Sequence, residues 1–262
     1  MPSTLGLFAH IETLHGDRPW GSVLDAGTGV NSADWLLSLP TEQWTGVTAA
    51  QGHATQVRDA VGGRLRPDDR LLLGNWMDRT LLQGETFDVV LADYLLGAVE
   101  GFGPYFQNDL FRRLRPLVGG VLYVTGLDPY VVGNAPTPAA RLVREIGRMR
   151  DVCLLLADET PYREYPAEWT TARLEEAGFR ITSARRFANR YRPRWIDNQL
   201  NMGLRRLAKI PDRSLADALA GRIEALRVDA HAVARAENGL AHGHDYVISA
   251  EPAIPCRLRR GR

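Results

Sequence analysis

The stretch Val23-Leu24-Asp25-Ala26-Gly27-Thr28-Gly29-Val30-Asn31-Ser32 constrains this chain more than any other. An apolar run ends on an acid, crosses two closely spaced glycines and continues at once into Ala33-Asp34-Trp35-Leu36-Leu37, an apolar helical segment. A strand that becomes a helix across a glycine loop is a place where a ligand can lie against the main chain, because glycine admits positive φ and close approach. Asp25 narrows the choice of ligand. A carboxylate buried two residues before the first glycine repels a pyrophosphate and favours an ammonium group.

The rest of the chain alternates strand and helix signatures. A short helix at 4–14 precedes strand one at 22–26. Strand two is Trp44–Thr48, followed by a helix at 52–62; strand three is Arg70–Gly74, and strand four is Phe87–Asp93. A helix at 104–115 leads to strand five, Val121–Thr125. Helices at 139–156 and 169–177, the latter stopped by Gly178, precede strand six at 180–187, and Asp245–Ala250 reads as strand seven. Nearly continuous apolar strands alternating with helices predict a parallel sheet covered on both faces. Between strands six and seven a long segment reads as two helices, 194–209 and 213–238, with Ser214 and Asp217 as an N-terminal cap and Leu215, Leu219, Ile223, Leu226 and Val233 near one face.

Composition excludes several classes. A net charge of +1 provides no field for nucleic acid or an anionic membrane. Cys153 and Cys256 are too few and too far apart for a disulfide framework or a zinc site, which with the absence of a signal-peptide pattern or a membrane span leads to the expectation of a cytoplasmic protein. The His242-Gly243-His244-Asp245 run reads as an ordinary loop, so no metal is expected.

The glycine loop resembles motif I of the class I S-adenosylmethionine-dependent methyltransferases, (D/E)-x-G-x-G-x-G, through Asp25, Gly27 and Gly29. Asn31 stands at the third glycine, and Asn tolerates left-handed backbone better than most residues. The resemblance implies an α/β fold with a doubly wound, mostly parallel seven-stranded sheet of order 3-2-1-4-5-7-6, strand seven antiparallel, and ligands at the carboxyl edge. It covers roughly 20–190 and 243–251, dividing the chain into a Rossmann-like core at 1–193 and 243–262 and a helical insert at 194–242, the candidate substrate lid.

What the resemblance implies for the cofactor, S-adenosyl-L-methionine, runs loop by loop. The Ala26, Gly27, Thr28 and Gly29 backbone, with Asn31, holds the methionine portion, and Asp25 biases the pocket toward its ammonium. Where the family generally has an acid for the ribose hydroxyls this chain has Thr48, followed by Ala49 and Gln51; cyclopropane fatty acid synthase-like enzymes resemble it with Gly-Val-Thr and a downstream Gln. A different ribose clamp is the alternative. Asn75 sits where the adenine amino group is accepted, with Trp76 or Met77 on the ring face. Ala92 and Asp93 end strand four, where donor meets acceptor, and Tyr94 either lines that point as a catalytic candidate or fills the core.

Aromatic and cationic side chains at Tyr94, Tyr130, Tyr162, Arg163 and Tyr165 are the acceptor-binding candidates, against a solvated proline-bounded turn for the last three. No Asn/Asp-Pro-Pro-Tyr motif follows strand four, which disfavours nucleobase amino methylation. The expected activity is methyl transfer to oxygen, nitrogen or carbon of a small metabolite, chiefly by positioning for in-line displacement. Two alternatives stand: a non-catalytic cofactor-binding partner subunit, and an NAD(P)-dependent oxidoreductase, which lacks here the third glycine of G-x-G-x-x-G and an acidic ribose clamp. The expected partner is a small-molecule acceptor, with no nucleic acid and no membrane; a homodimer is left open.

Overall fold

The computed structural model describes residues 4–253, so Cys256 and the end of the expected core lie outside the described residues. Its strands are β1 (Ser22–Asp25), β2 (Gln43–Thr48), β3 (Arg70–Leu73), β4 (Phe87–Asp93), β5 (Val118–Leu127), β6 (Phe179–Tyr191) and β7 (Leu240–Pro252). The helices are α1 (Thr4–His15), α2 (Val30–Leu36), α3 (Gln51–Val61), α4 (Leu95–Ala98), α5 (Gln107–Leu114), α6 (Pro138–Leu155), α7 (Ala167–Glu176), α8 (Pro193–Leu204) and α9 (Arg213–Ala236). The seven strands form one sheet of order β3-β2-β1-β4-β5-β7-β6, as the motif implies. β1 to β5 are parallel, and β7 runs antiparallel between β5 and β6.

Strand side chains alternate between two cores, which is why the central strands read as unbroken apolar runs. Leu24, Val90, Leu122 and Ile248 pack with Leu110, Phe111 and Leu114 of α5 and Leu174 of α7. Val23, Val89, Leu91, Val121, Tyr123 and Val247 face the other way, onto Leu7 and Ile11 of α1, Ala33 and Leu36 of α2, and Val57 and Val61 of α3. On β4 the alternation slips at the register shift between Phe87 and Val89, which puts Phe87 in the first core and Val89 in the second.

Strands β6 and β7 are longer than the sequence pattern suggests, pairing from Phe179↔Pro252 to Tyr191↔Leu240. β6 is an edge strand, and its outward arginines hide its length from a hydrophobicity reading while blunting the edge against further pairing. One of them, Arg186, is tied to Asp128 at 2.7 Å and Glu168 at 2.5 Å.

The segment between β6 and β7 packs with α6 into a third core. Val143, Ile146 and Cys153 of α6 meet Ile196 and Leu200 of α8 and Ile223, Leu226 and Ala230 of α9. A Cβ on Gly203 would stand 3.3 Å from Cys153 Sγ, so glycine lets α8 and α6 cross closely. α9 starts before the expected Ser214: its cap is Asp212, whose carboxylate accepts the Leu215 N–H at 3.0 Å. Its buried stripe also differs, taking in Ala216, Ala230 and Ala234 and leaving Leu215 exposed. Charge pairs pin the segment: Arg206 and Lys209 on Glu159 at 2.8 and 2.7 Å, and Arg227 on Asp197 at 2.6 Å. No helix among the described residues is long and apolar enough to cross a membrane.

Because α6 shares its core with α8 and α9, Ile223→Ala is expected to cost about 2–5 kcal/mol. Urea unfolding followed by far-UV dichroism and by tryptophan fluorescence should shift as one transition; two separated transitions would show that these helices fold apart from the sheet.

Candidate active site

The carboxyl ends of β1, β2, β3 and β4 open into a cavity of about 420 Å³. Its floor is the glycine loop, and the sheet holds that loop by main-chain bonds: Ala26 N–H to Leu91 C=O and Thr28 N–H to Val47 C=O, each 2.8 Å. Neither Gly27 nor Gly29 has positive φ. Their smallness serves space instead. A Cβ on Gly27 would stand 3.1 Å from Leu95, while one on Gly29 would meet nothing and project into open room. α2 has already begun at Val30, so Asn31 is helical and needs no left-handed tolerance.

Asp25 lies beneath this loop, fully buried, and is not part of the cavity wall. Its Oδ2 accepts the Ser32 hydroxyl at 2.7 Å, and Ser32 Oγ accepts the Gly29 N–H at 3.1 Å, which locks loop to helix. Its Oδ1 has no partner. Burial, reinforced by the charge of Asp93, raises the Asp25 pKa to about 7. Asp93 does line the cavity; burial and then the charge of Asp245 outweigh a 2.5 Å bond from Thr125 Oγ1 and raise it to about 6. No lysine or arginine among the described residues lines this cavity.

The other expected cofactor residues divide. Ala26, Gly27, Thr28, Gly29, Asn31, Thr48, Ala49, Asn75 and Trp76 line the cavity; Gln51, Met77 and Ala92 do not. Gln51 starts α3 pointing to solvent, and the same helix presents His53 and Gln56 instead, a matter of helical rotation. Met77 is over half exposed and packs near Gly103, and Ala92 faces the sheet core. Asn75 is used by its own loop, accepting Met77 N–H at 3.0 Å and donating to Phe102 C=O at 2.7 Å. Trp76 braces the glycine loop: its indole N–H donates to Ala26 C=O at 2.7 Å. The apolar wall comes from Leu95, Ala98, Val99, Phe102 and Phe106, a stretch with too little regular periodicity to announce itself in sequence.

A second cavity, also about 420 Å³, adjoins the first and shares His53, Tyr94, Ala98 and Tyr162 with it. Tyr94 stands at the junction in left-handed conformation (φ 48°, ψ 16°), its N–H held by Thr125 Oγ1 at 3.1 Å. Burial first, then the charge of buried Asp245, keeps its phenol protonated, well above the usual range. Tyr94, Tyr130 and Tyr162 line the second cavity; Arg163 and Tyr165 do not. Arg163 points outward, 3.9 Å from Glu100, and Tyr165 packs on Trp169 with centroids 4.3 Å apart.

Sequence reasoning missed the remaining wall: Arg150 from α6, Glu164 from the loop before α7, and Trp195, Gln199, Met202 and Arg206 from α8 and its end. Arg150 is nearly buried and donates to Tyr130 Oη and Gln199 Oε1, both at 2.7 Å, and to Asp151. Only a hydrophobic face with an interrupting arginine and glutamine hinted at this. Asp245, the first residue of the expected strand seven, is buried on β7, where Asn189 Nδ2 donates to it at 3.1 Å, and His242, Gly243 and His244, expected as a loop, belong to the same strand. His242 Nε2 lies 3.2 Å from Tyr130 O, and no three potential ligands gather for a metal among the described residues.

No protein-family model and no curated protein matches the sequence. Solved structures do match in shape. A proposed methyltransferase from Bacillus halodurans superposes with a TM-score of 0.61 at 14% identity, over 94% of this chain and 98% of that one. A (4+2) cyclase gives 0.57 at 19%, over 94% and 80%. A mycolic acid cyclopropane synthase solved with S-adenosylhomocysteine gives 0.54 at 17%, over 96% and 86%. Strand order, the glycine loop and these likenesses agree: the chain has the fold of the class I S-adenosylmethionine-dependent methyltransferases.

Proposed function

We propose that the protein binds S-adenosyl-L-methionine in the first cavity and transfers its methyl group to a small-molecule acceptor held in the second. The observation that carries this reading is the pair of acids, buried Asp25 and half-buried Asp93, in a site with no lysine or arginine on its wall among the described residues. Such a site disfavours a pyrophosphate, and with it a nicotinamide dinucleotide. It favours a ligand bearing an ammonium and a sulfonium, whose charges would return both carboxyls to their ionised form. The bound group supplies an electrophilic methyl carbon.

The protein's residues then bind and orient. The Ala26–Gly29 backbone receives the amino-acid end over Asp25, with Asp93 beside it. Thr48, with His53 and Gln56 of α3, provides the polar contacts available to a ribose, and Phe102, Phe106 and Val99 an apolar face for a purine. The helices α8 and α9 serve, with α6, as the cover over the acceptor, since α8 side chains form its wall. A non-transferring enzyme is the second reading, favoured by the shared fold with a (4+2) cyclase; methyl transfer from labelled donor to any acceptor would exclude it.

The reading is tested by calorimetry with S-adenosylhomocysteine, whose ammonium remains. Ionised Asp25 and Asp93 favour that ammonium, so affinity should rise with pH through about 6 to 7, by up to about tenfold per unit for each proton released. Asp93→Asn should weaken binding about tenfold at pH 7.5 and flatten that dependence. No binding by the wild type, or a flat profile in it, would defeat the proposal.

The same raised carboxyls stabilise the empty fold in their protonated form. That stability is complete below their ordinary pKa and is lost as pH rises through about 6 to 7. The melting temperature should therefore fall over this range without ligand and fall less with S-adenosylhomocysteine present. Trp76→Phe leaves the Ala26 carbonyl unpaired and should cost about 1–3 kcal/mol in urea unfolding; no change would show that the indole does not brace the loop.

A further inference from the structure

The second cavity is lined by several aromatic side chains and holds one carboxyl without a partner among the described residues. Tyr94, Tyr130, Tyr162 and Trp195 supply its ring surfaces, and Leu127, Leu154 and Met202 complete an apolar lining. Its charged side chains are mostly spoken for: Arg150 by Tyr130, Gln199 and Asp151, and Glu159 by Arg206 and Lys209. Glu164 is the exception, its carboxyl making no hydrogen bond and no ion pair among the described residues. It stands at the right place, for a Cβ built on Gly97 of α4 would lie 3.2 Å from Glu164 Oε2. Gly97 lies between Tyr94 and Ala98, two of the residues common to both cavities. The free carboxyl thus sits beside the junction where donor and acceptor would meet.

We propose that this cavity takes a planar, hydroxyl-bearing acceptor, a phenol or an enol, and that Glu164 is the base that removes its proton. The proposal rests on the reading of the first cavity as a sulfonium site. As Glu164 accepts the hydroxyl proton, the oxygen lone pair forms the new bond to the methyl carbon, and the carbon–sulfur pair returns to sulfur as a neutral thioether. The proton then leaves the carboxyl to solvent. Arg150 selects oxygen over a charged amine: its buried guanidinium stabilises a developing phenolate and repels an ammonium, as the sulfonium also does.

The groups facing Glu164 set when it can act. Burial raises its pKa most; Arg150 of α6 opposes this, while Asp245 of β7 and Asp151 of α6 add to it, giving about 7. A carboxylate with that value is matched to proton removal at neutral pH, where an exposed glutamate would be too weak a base.

The probe is 2-naphthol, followed by its fluorescence when titrated with the full chain saturated with S-adenosylhomocysteine. It should bind the wild type, and Glu164→Gln should weaken it about tenfold while S-adenosylhomocysteine affinity, measured by calorimetry, stays within about twofold. With S-adenosylmethionine, mass spectrometry should detect 2-methoxynaphthalene, at a rate rising through about pH 7. Glu164→Gln should slow that rate about 100-fold or more and erase the ionisation. The proposal is overturned if 2-naphthol does not bind, if Glu164→Gln binds and methylates it like the wild type, or if 2-(aminomethyl)naphthalene is bound and methylated in preference. Failure of the wild type to bind S-adenosylhomocysteine would bring down the donor reading as well; donor binding with an indifferent Glu164 brings down this one alone.

Discussion

Carboxylates taken out of water at the carboxyl edge of a sheet govern how this site is built. Strand register brings them together: Asp25 stands opposite Gly46 and Leu91, Asp93 opposite Thr125, and Asp245 opposite Leu127. Neutral donors reach them, among them Ser32 to Asp25, Thr125 to Asp93 and Asn189 to Asp245, and Asp25 and Asp245 each keep an oxygen with no partner among the described residues. These hydrogen bonds do not offset the removal of an ion from water, so all three titrate well above their ordinary range. A cationic ligand, as proposed for this site, would favour their ionised form.

That arrangement needs a rigid frame, which the parallel strands supply. Ala26 and Thr28 are bonded to strands on either side of β1, Ser32 ties the loop to α2, and Trp76 reaches across from the β3 end to the Ala26 carbonyl. Small residues are placed for packing: a Cβ on Gly46 would press within 2.6 Å of Trp44 and Thr28. Tyr94, at the junction of the cavities, is one of five non-glycine residues with positive φ among the described residues, at a cost of about 1 kcal/mol or more. Thr125 restrains it, with Oγ1 serving both the Tyr94 N–H and Asp93.

The second cavity has another origin. Its wall is assembled from β5, α6, the loop before α7, and α8, elements far apart in the chain that meet because α6, α8 and α9 bury a common apolar core. Arg150 is the keystone of its polar side, joining Tyr130 to Gln199 across that assembly. Substitutions in α8 would change this wall without touching the glycine loop, so the two cavity walls can vary separately.

The succession of strands and helices, the glycine loop and the acid at Asp25 were legible in the residues because they are local: hydrophobic period, glycine placement and motif spacing act within a few positions of one another. The strand order followed only from the resemblance of the glycine loop to motif I. Which side chains line the cavities was not legible. A helix turns about 100° per residue, so α3 offers His53 and Gln56 rather than Gln51, and no local pattern sets that rotation. Asp25 lies under the loop rather than in the wall, Met77 swings to solvent, and Glu164 shares the second cavity with Arg150 and Gln199. Those outcomes follow from long-range packing of helices on the sheet, where burial energy is decided by partners distant in sequence. The chain by itself determined the scaffold and its glycine cradle; the tertiary structure alone decided which groups the two cavities present.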